Sequence, residues 1–222
     1  MVGPPTPTVA AFDLDGTLTE GGSVFPWLRH LAGSSALFRA ALRLAVPLTI
    51  GGLRSGPRAD AAKEKLFRAL LAGRDFDEVQ VASRHFALEH LANEGRPHTL
   101  ARLNWHLEQG HDVVIVSASP QLYVDVVANS LQAIGAVGTR LAVDPLGKLT
   151  GGYLGKNCRG DEKMRRLTEW IDERGYPGVP EIYAYGNSRG DRRLLGGATY
   201  AYNVGRLGVV GALRRYPRLP RA

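Results

Sequence analysis

A single cysteine, Cys158, stands in 222 residues, which excludes an internal disulfide and fits a reducing compartment. The first residues, Met1-Val2-Gly3-Pro4-Pro5, lack the basic start and apolar core of a secretory signal, so the expected location is cytoplasmic. Long hydrophobic runs are also missing. The most apolar stretch, Ala36 to Leu53, contains Arg39, Arg43 and Pro47 and makes a poor membrane span. Six histidines (His30, His85, His90, His98, His106 and His111) form no metal-ligand spacing; His85 and His90, five apart, do not share a helix face. There is no Ser-His-Asp order and no nucleotide-binding glycine loop, because Gly186 to Gly190 leads into Asp191 rather than into Lys-Ser/Thr.

What is present is ordinary in bulk. Hydrophobic residues make up 44% and charged residues 22%, which is globular usage. The length suits one α/β domain with a sizeable insertion, or two small domains. Lys plus Arg number 28 against 21 Asp plus Glu, a net charge of +7, and that excess favours anionic partners. Part of it is local: Arg206, Arg214, Arg215, Arg218 and Arg221, mixed with Pro217 and Pro220, read as a frayed, solvated tail. Arg-rich ends without interleaved aromatics argue against nucleic acid.

Along the chain, Val9 to Phe12 reads as a buried strand. From about Pro26 to Ala92 the pattern is helical, with Ala59 to Leu71 an amphipathic helix ending at Gly73. Asp75 or Asp77 would cap the next helix, with Phe86, Leu88 and Leu91 on its apolar side. After Pro97, helices at Thr99–Glu108, Pro120–Leu131 and Asp161–Arg174 alternate with strands at Val113–Val116, Ile182–Tyr185 and Thr199–Val204. Ala136–Val143 and Leu149–Tyr153 read as a strand pair around Asp144-Pro145-Leu146-Gly147, and Asp191–Leu195 as a helical turn. Strands alternating with helices predict a doubly wound, mostly parallel Rossmann-like sheet. Sites in such sheets lie beyond the carboxyl ends of the strands.

Three apolar strands end in polar clusters where that rule asks for them. The first runs into Asp13-Leu14-Asp15-Gly16-Thr17. Asp13 and Asp15 share one face of an extended chain, Gly16 lets the backbone turn away, and Thr17 adds a hydroxyl. Two carboxylates at the end of a buried strand are costly unless a cation or chemistry uses them. A surface Asp-Gly turn is the bland alternative, and the further oxygen ligands of a calcium loop are missing. The second strand ends in Ser117-Ala118-Ser119-Pro120, and the third in Gly186-Asn187-Ser188-Arg189-Gly190-Asp191.

The order of these motifs resembles the haloacid dehalogenase superfamily of phosphatases, in its phosphoserine-phosphatase-like branch. Phe12 to Thr17 is similar to the first motif, Val116 to Ser119 to the second, Lys163 to the third and Gly186 to Asp191 to the fourth. The resemblance implies a core of residues 1–21 and 93–222 with a helical cap over 22–92. It implies a Mg²⁺-dependent phosphomonoesterase with Asp13 as nucleophile and Asp15 as acid/base. Thr17, Ser117 and the backbone at Ala118 would bind the phosphoryl group, and Lys163 would supply positive charge. Asp13, the Asp15 carbonyl, Asn187 and Asp191 would hold the metal. The family usually has Asp where this chain has Asn187, which implies weaker metal affinity. Passing the phosphoryl group to an alcohol uses the same residues and stays an alternative, as does an idle module that only binds phosphate or membrane.

Phosphoserine phosphatases place a Glu shortly after the first motif. The matching place here is Gly22, with Glu20 two residues early, which weakens phosphoserine as substrate. The apolar stretch, with Arg39 and Arg43 on one helix face and Arg54, Arg58 and Lys63 nearby, suits an amphiphilic phosphate ester or peripheral contact with an anionic membrane. Burial of that face against neighbouring helices serves equally well.

Overall fold

A computed structural model of the chain describes residues 6–44, 57–205 and 213–220. Residues 45–53 of the apolar stretch, Arg54, Arg206, Arg221 and the side chain of Arg58 lie outside this description. A central strand β1 (Thr8–Phe12) is flanked by β2 (Asp112–Pro120) and β6 (Glu181–Gly186), with β3 (Gly135–Thr139) and β7 (Tyr200–Asn203) outermost. The order is β3-β2-β1-β6-β7, and every pair is parallel.

The two-residue period of the strands sorts the core. Val9 and Ala11 share one face with Val114, Val116 and Ala184. Ala10 and Phe12 share the other with Val113, Ile115 and Tyr185. The first face is covered by α7 (Asp161–Arg174) and α8 (Arg192–Gly196) through Leu167, Leu194 and Leu195. The second is covered by α5 (Pro97–Glu108) and α6 (Gln121–Ser130) through Leu103, Val124 and Val127. Burial on both faces is why the strands read as continuous apolar runs rather than alternating ones.

Between β1 and β2 come α1 (Val24–Ala32), α2 (Ser34–Arg43), α3 (Pro57–Leu71) and α4 (Phe76–Glu94). Asp75 caps α4, accepting from the Asp77 and Glu78 amides at 3.0 and 3.2 Å. Phe86 is buried but Leu88 is 45% exposed, so the apolar side of α4 is narrower than expected. The helix continues past residue 92 to Glu94 before the chain turns at Gly95.

The run Ala136–Val143 is not one strand. It breaks after Thr139: β3 stays in the main sheet, and β4 (Leu141–Val143) pairs antiparallel with β5 (Leu149–Tyr153). This hairpin leans on the insertion. The Leu149 amide donates to the Arg74 carbonyl and the Gly73 amide to the Leu149 carbonyl, both at 2.8 Å. Gly151, at φ +76°, lies so close to α3 that a Cβ there would sit 2.4 Å from Arg68 Cα, so only glycine fits. Residues 213–220 of the tail are also more ordered than expected. Leu213 and Leu219 are buried, and the Asn203 amide of β7 donates to the Pro217 carbonyl at 2.8 Å.

Candidate active site

The loop after β1 is a compact turn. The amides of Thr17, Leu18 and Thr19 all donate to the Leu14 carbonyl, at 2.9–3.1 Å. Gly16 adopts φ +77°, a conformation a side chain disfavours, and its missing Cβ leaves room for Asn187, whose Nδ2 would lie 1.9 Å from that atom. Arg96 braces the loop from outside, donating to the Gly16 carbonyl and, at 3.0 Å, to the Val204 carbonyl. Thr99 adds a 2.5 Å bond to the Thr17 carbonyl.

This turn buries Asp13 at the end of β1, 5% exposed. Lys163, from the first turn of α7, donates to Asp13 Oδ1 at 2.5 Å and to Asp191 Oδ1 at 2.6 Å. Thr17 Oγ1 donates to Asp13 Oδ2 at 2.9 Å. Two buried carboxylates thus share one buried ammonium. Burial, with Asp191 adding to it, pushes the Asp13 carboxyl up to about 7 against the pull of Lys163. Burial also opposes charge on Lys163, but the two carboxylates outweigh it and hold the ammonium above the usual lysine range. Asp191 is held below its usual range, since Lys163 and Ser188 outweigh the cost of its burial.

The motif order places Asp191 at the metal, and the geometry gives it other partners. Its Oδ1 is taken by Lys163, while Oδ2 accepts from the amides of Asn187 and Ser188 at 3.2 and 2.9 Å and from Ser188 Oγ at 2.8 Å. It ties the loop after β6 to the lysine. Asn187 differs: its Oδ1 is buried with no hydrogen-bond partner. Such an atom is costly unless something outside the protein meets it. Among the described residues, no three His, Cys, Asp or Glu side chains are grouped to hold a metal ion. The expected ligands Asp13, the Asp15 carbonyl and Asn187 make instead a mixed oxygen set of the kind a hard cation accepts while keeping several waters.

The remaining expected residues lie at the end of β2 and on the loop after β1, joined by others the motifs did not point to. Ser117 is fully buried and its Oγ accepts from the Ser119 amide at 3.1 Å. The Ala118 carbonyl accepts from Lys63 Nζ at 2.8 Å and Thr139 Oγ1 at 2.7 Å. Lys63, on α3, also donates to Asn157 Oδ1 at 2.6 Å. Burial pulls its ammonium down to about 8, against Asp60 and Asp15. Asp15 is gripped on both oxygens, by the Ser23 amide at 2.7 Å and by Ser119 Oγ at 2.5 Å. Glu20 lies 3.5 Å from Arg96 across an ion pair, and Gly22 is exposed.

A parallel doubly wound sheet with a buried carboxylate–lysine cluster beyond the ends of β1 and β6 has the layout of an α/β enzyme site. The haloacid dehalogenase-like hydrolase profile matches residues 10–196, and the chain belongs to that family. Protein CicA of Caulobacter vibrioides is 35% identical over 189 residues, covering 85% of this chain and 82% of that one. Histidinol-phosphatase of Neisseria meningitidis is 25% identical over 189 residues, covering 84% and 85%. A phospho-aspartyl intermediate analogue of phosphoserine phosphatase superposes with a TM-score of 0.62 at 18% identity, covering 90% and 87%. The fold is that of the phosphoserine-phosphatase-like branch, and the enzyme is a haloacid dehalogenase-like hydrolase. Among the described residues no helix is long and apolar enough to cross a membrane.

Proposed function

We propose that this enzyme hydrolyses a small or amphiphilic phosphate monoester through an aspartyl-phosphate on Asp13, with Mg²⁺ as cofactor. The observation that carries the reading is the buried bridge from Lys163 to Asp13 and Asp191, directly behind the paired carboxylates at the end of β1. Asp13 attacks phosphorus in line, forming one P–O bond as the bond to the leaving oxygen breaks. Asp15 gives that oxygen a proton. It then takes a proton from the water that attacks the intermediate, and phosphate leaves with Asp13 restored. Ser117, Thr17 and the backbone at Ala118 face the phosphoryl oxygens, and Lys163 offsets the charge they gather. Asp13, the Asp15 carbonyl and the unpartnered Asn187 Oδ1 would hold Mg²⁺, which when bound screens the phosphoryl charge. Asp191 keeps Lys163 and the 187–188 loop in place.

The helical segment 22–92 serves in this reading as a cap over the leaving group. On its α2, Phe38 and Leu42 are 59% and 71% exposed, beside exposed Arg39 and Arg43. That stripe supports peripheral contact of a cytoplasmic enzyme with an anionic bilayer, tested by co-sedimentation with phosphatidylglycerol vesicles against neutral ones.

The test of function is a phosphate-release screen with Mg²⁺ over phosphoserine, histidinol phosphate, sugar phosphates and lipid or isoprenoid monophosphates, run beside Asp13→Asn. Release that vanishes in the variant is expected; release undiminished in it would overturn the nucleophile assignment. An added acceptor alcohol shows in the same samples whether any phosphoryl group is transferred rather than hydrolysed.

A further inference from the structure

Behind Asp15 runs a row of buried hydroxyls that the reaction as written does not use. Ser119 Oγ donates to Asp15 Oδ2 at 2.5 Å. Ser23 Oγ lies 3.1 Å from Ser119 Oγ and 2.8 Å from the Tyr123 hydroxyl. Ser23 and Ser119 are fully buried and Tyr123 is 1% exposed. We infer that Ser119, backed by Ser23 and Tyr123, is the positioning group that aims the carboxyl of Asp15 at the leaving oxygen. The inference rests on Asp15 being the acid/base of the proposed reaction.

The direction of the row follows from its ends. Ser119 donates to Asp15 Oδ2, the one role open to it while that carboxyl is ionised and can only accept. Having spent its one proton, Ser119 must accept from Ser23, and Ser23 in turn from Tyr123. The phenol can serve as terminal donor because burial holds its proton well beyond the ordinary tyrosine range. Each hydroxyl therefore has one available role, and the order polarises toward Asp15. On the other side the Ser23 amide, at the N-terminus of α1, donates to Asp15 Oδ1 at 2.7 Å. With both oxygens held, the carboxyl has one orientation, while the residue stays half-buried and so keeps an open side.

Three elements meet in this cradle: β2 brings Ser119, the start of α1 brings Ser23, and α6 brings Tyr123. A hydroxyl placed only to fill space would not need its neighbours in series. Alanine at 119 would also leave Ser23 Oγ short of an acceptor in a dry site.

The test uses full-length enzyme with Mg²⁺ and three aryl phosphates, 2,4-dinitrophenyl, p-nitrophenyl and phenyl, whose leaving oxygens need progressively more help from an acid. Ser119→Ala should lose about threefold or less in kcat on the first and about thirtyfold or more on the last, within the range of acid catalysis. Tyr123→Phe should tilt the series the same way by less, and Ser119→Thr, which keeps the hydroxyl, should restore most of the loss. Equal loss on all three esters, or none, overturns the positioning role. Asp13→Asn in the same assay separates the two readings. If it is dead while Ser119→Ala shows a flat loss, only the positioning role falls; if it still turns over, both do.

Discussion

Lys163 and Lys63 are both buried, 2% and 7% exposed, and both stand at the site, yet their surroundings are opposite. Lys163 belongs to the core and meets two carboxylates. Lys63 belongs to the helical insertion and meets neutral oxygens, the Ala118 carbonyl and Asn157 Oδ1. The first is held charged by its partners, whereas burial pulls the second down to about 8. The core therefore carries a fixed positive charge that chemistry can rely on at any physiological pH. The insertion touches the same site through a charge that titrates close to that range, with few electrostatic ties to spare.

Removing the two lysines separates these roles. Lys163→Met leaves Asp13 and Asp191 buried without a counter-charge, and breaking such a pair costs about 3–5 kcal/mol. Phosphate release should fall by about 10²–10³-fold, as when one preorganised electrostatic contact is lost. Urea unfolding and initial rates measure both. An intact rate would mean that the bridge is structural only.

Asn187→Asp sharpens the picture of the core half. Adding a carboxylate beside Asp13 should lower the Mg²⁺ concentration for half-maximal turnover by about tenfold, since ligand charge tunes affinity for hard cations. A Mg²⁺ titration with unchanged midpoint would remove Asn187 from the metal site.

Lys63→Met should act more gently, with about 1–2 kcal/mol for hydrogen bonds lost at a buried carbonyl. Its signature is in pH. Lys63 has a folded value near 8, below its unfolded 10.5, so between those values the unfolded chain binds more protons and stability rises with pH. The stability difference between wild type and Lys63→Met should therefore grow from pH 8 to 10. Lys163, raised by its partners, contributes fully below 10.5, and that contribution is lost as pH rises from there through its folded value. The corresponding difference for Lys163→Met is governed by Asp13, which loses the pull of Lys163 and titrates above 7, so that variant loses stability as pH rises. A difference between wild type and Lys63→Met that stays flat from pH 8 to 10 would erase the distinction between the two lysines.

Much of this site is legible in the sequence. Asp13, Asp15 and Lys163 stand at ends of strongly patterned elements, and α7 is bounded by Gly160 and by Gly175 in a left-handed cap, so its limits match the expectation. The three buried strands are plain because both faces of the sheet are covered. What escapes is pairing at long range. Ser23 and Ser119 are 96 residues apart and Lys63 and Ala118 are 55 apart; nothing in a serine's neighbours announces such a partner. The split of Ala136–Val143 is hidden for a related reason. Thr139 has strand propensity, but its hydroxyl is spent on the Ala118 carbonyl as the chain leaves the main sheet. The motif of Asp191 points to metal, and only the geometry of its four donors shows that its oxygens are engaged by the protein.

The central claim is that Asp13 carries the phosphoryl group. The most direct measurement is mass spectrometry of enzyme quenched in acid during steady-state turnover with Mg²⁺ and a monoester from the screen. A single phosphoryl adduct on the peptide bearing Asp13, absent from Asp13→Asn, is the predicted result. Turnover with no adduct on that peptide, or an adduct that persists in the variant, would contradict it.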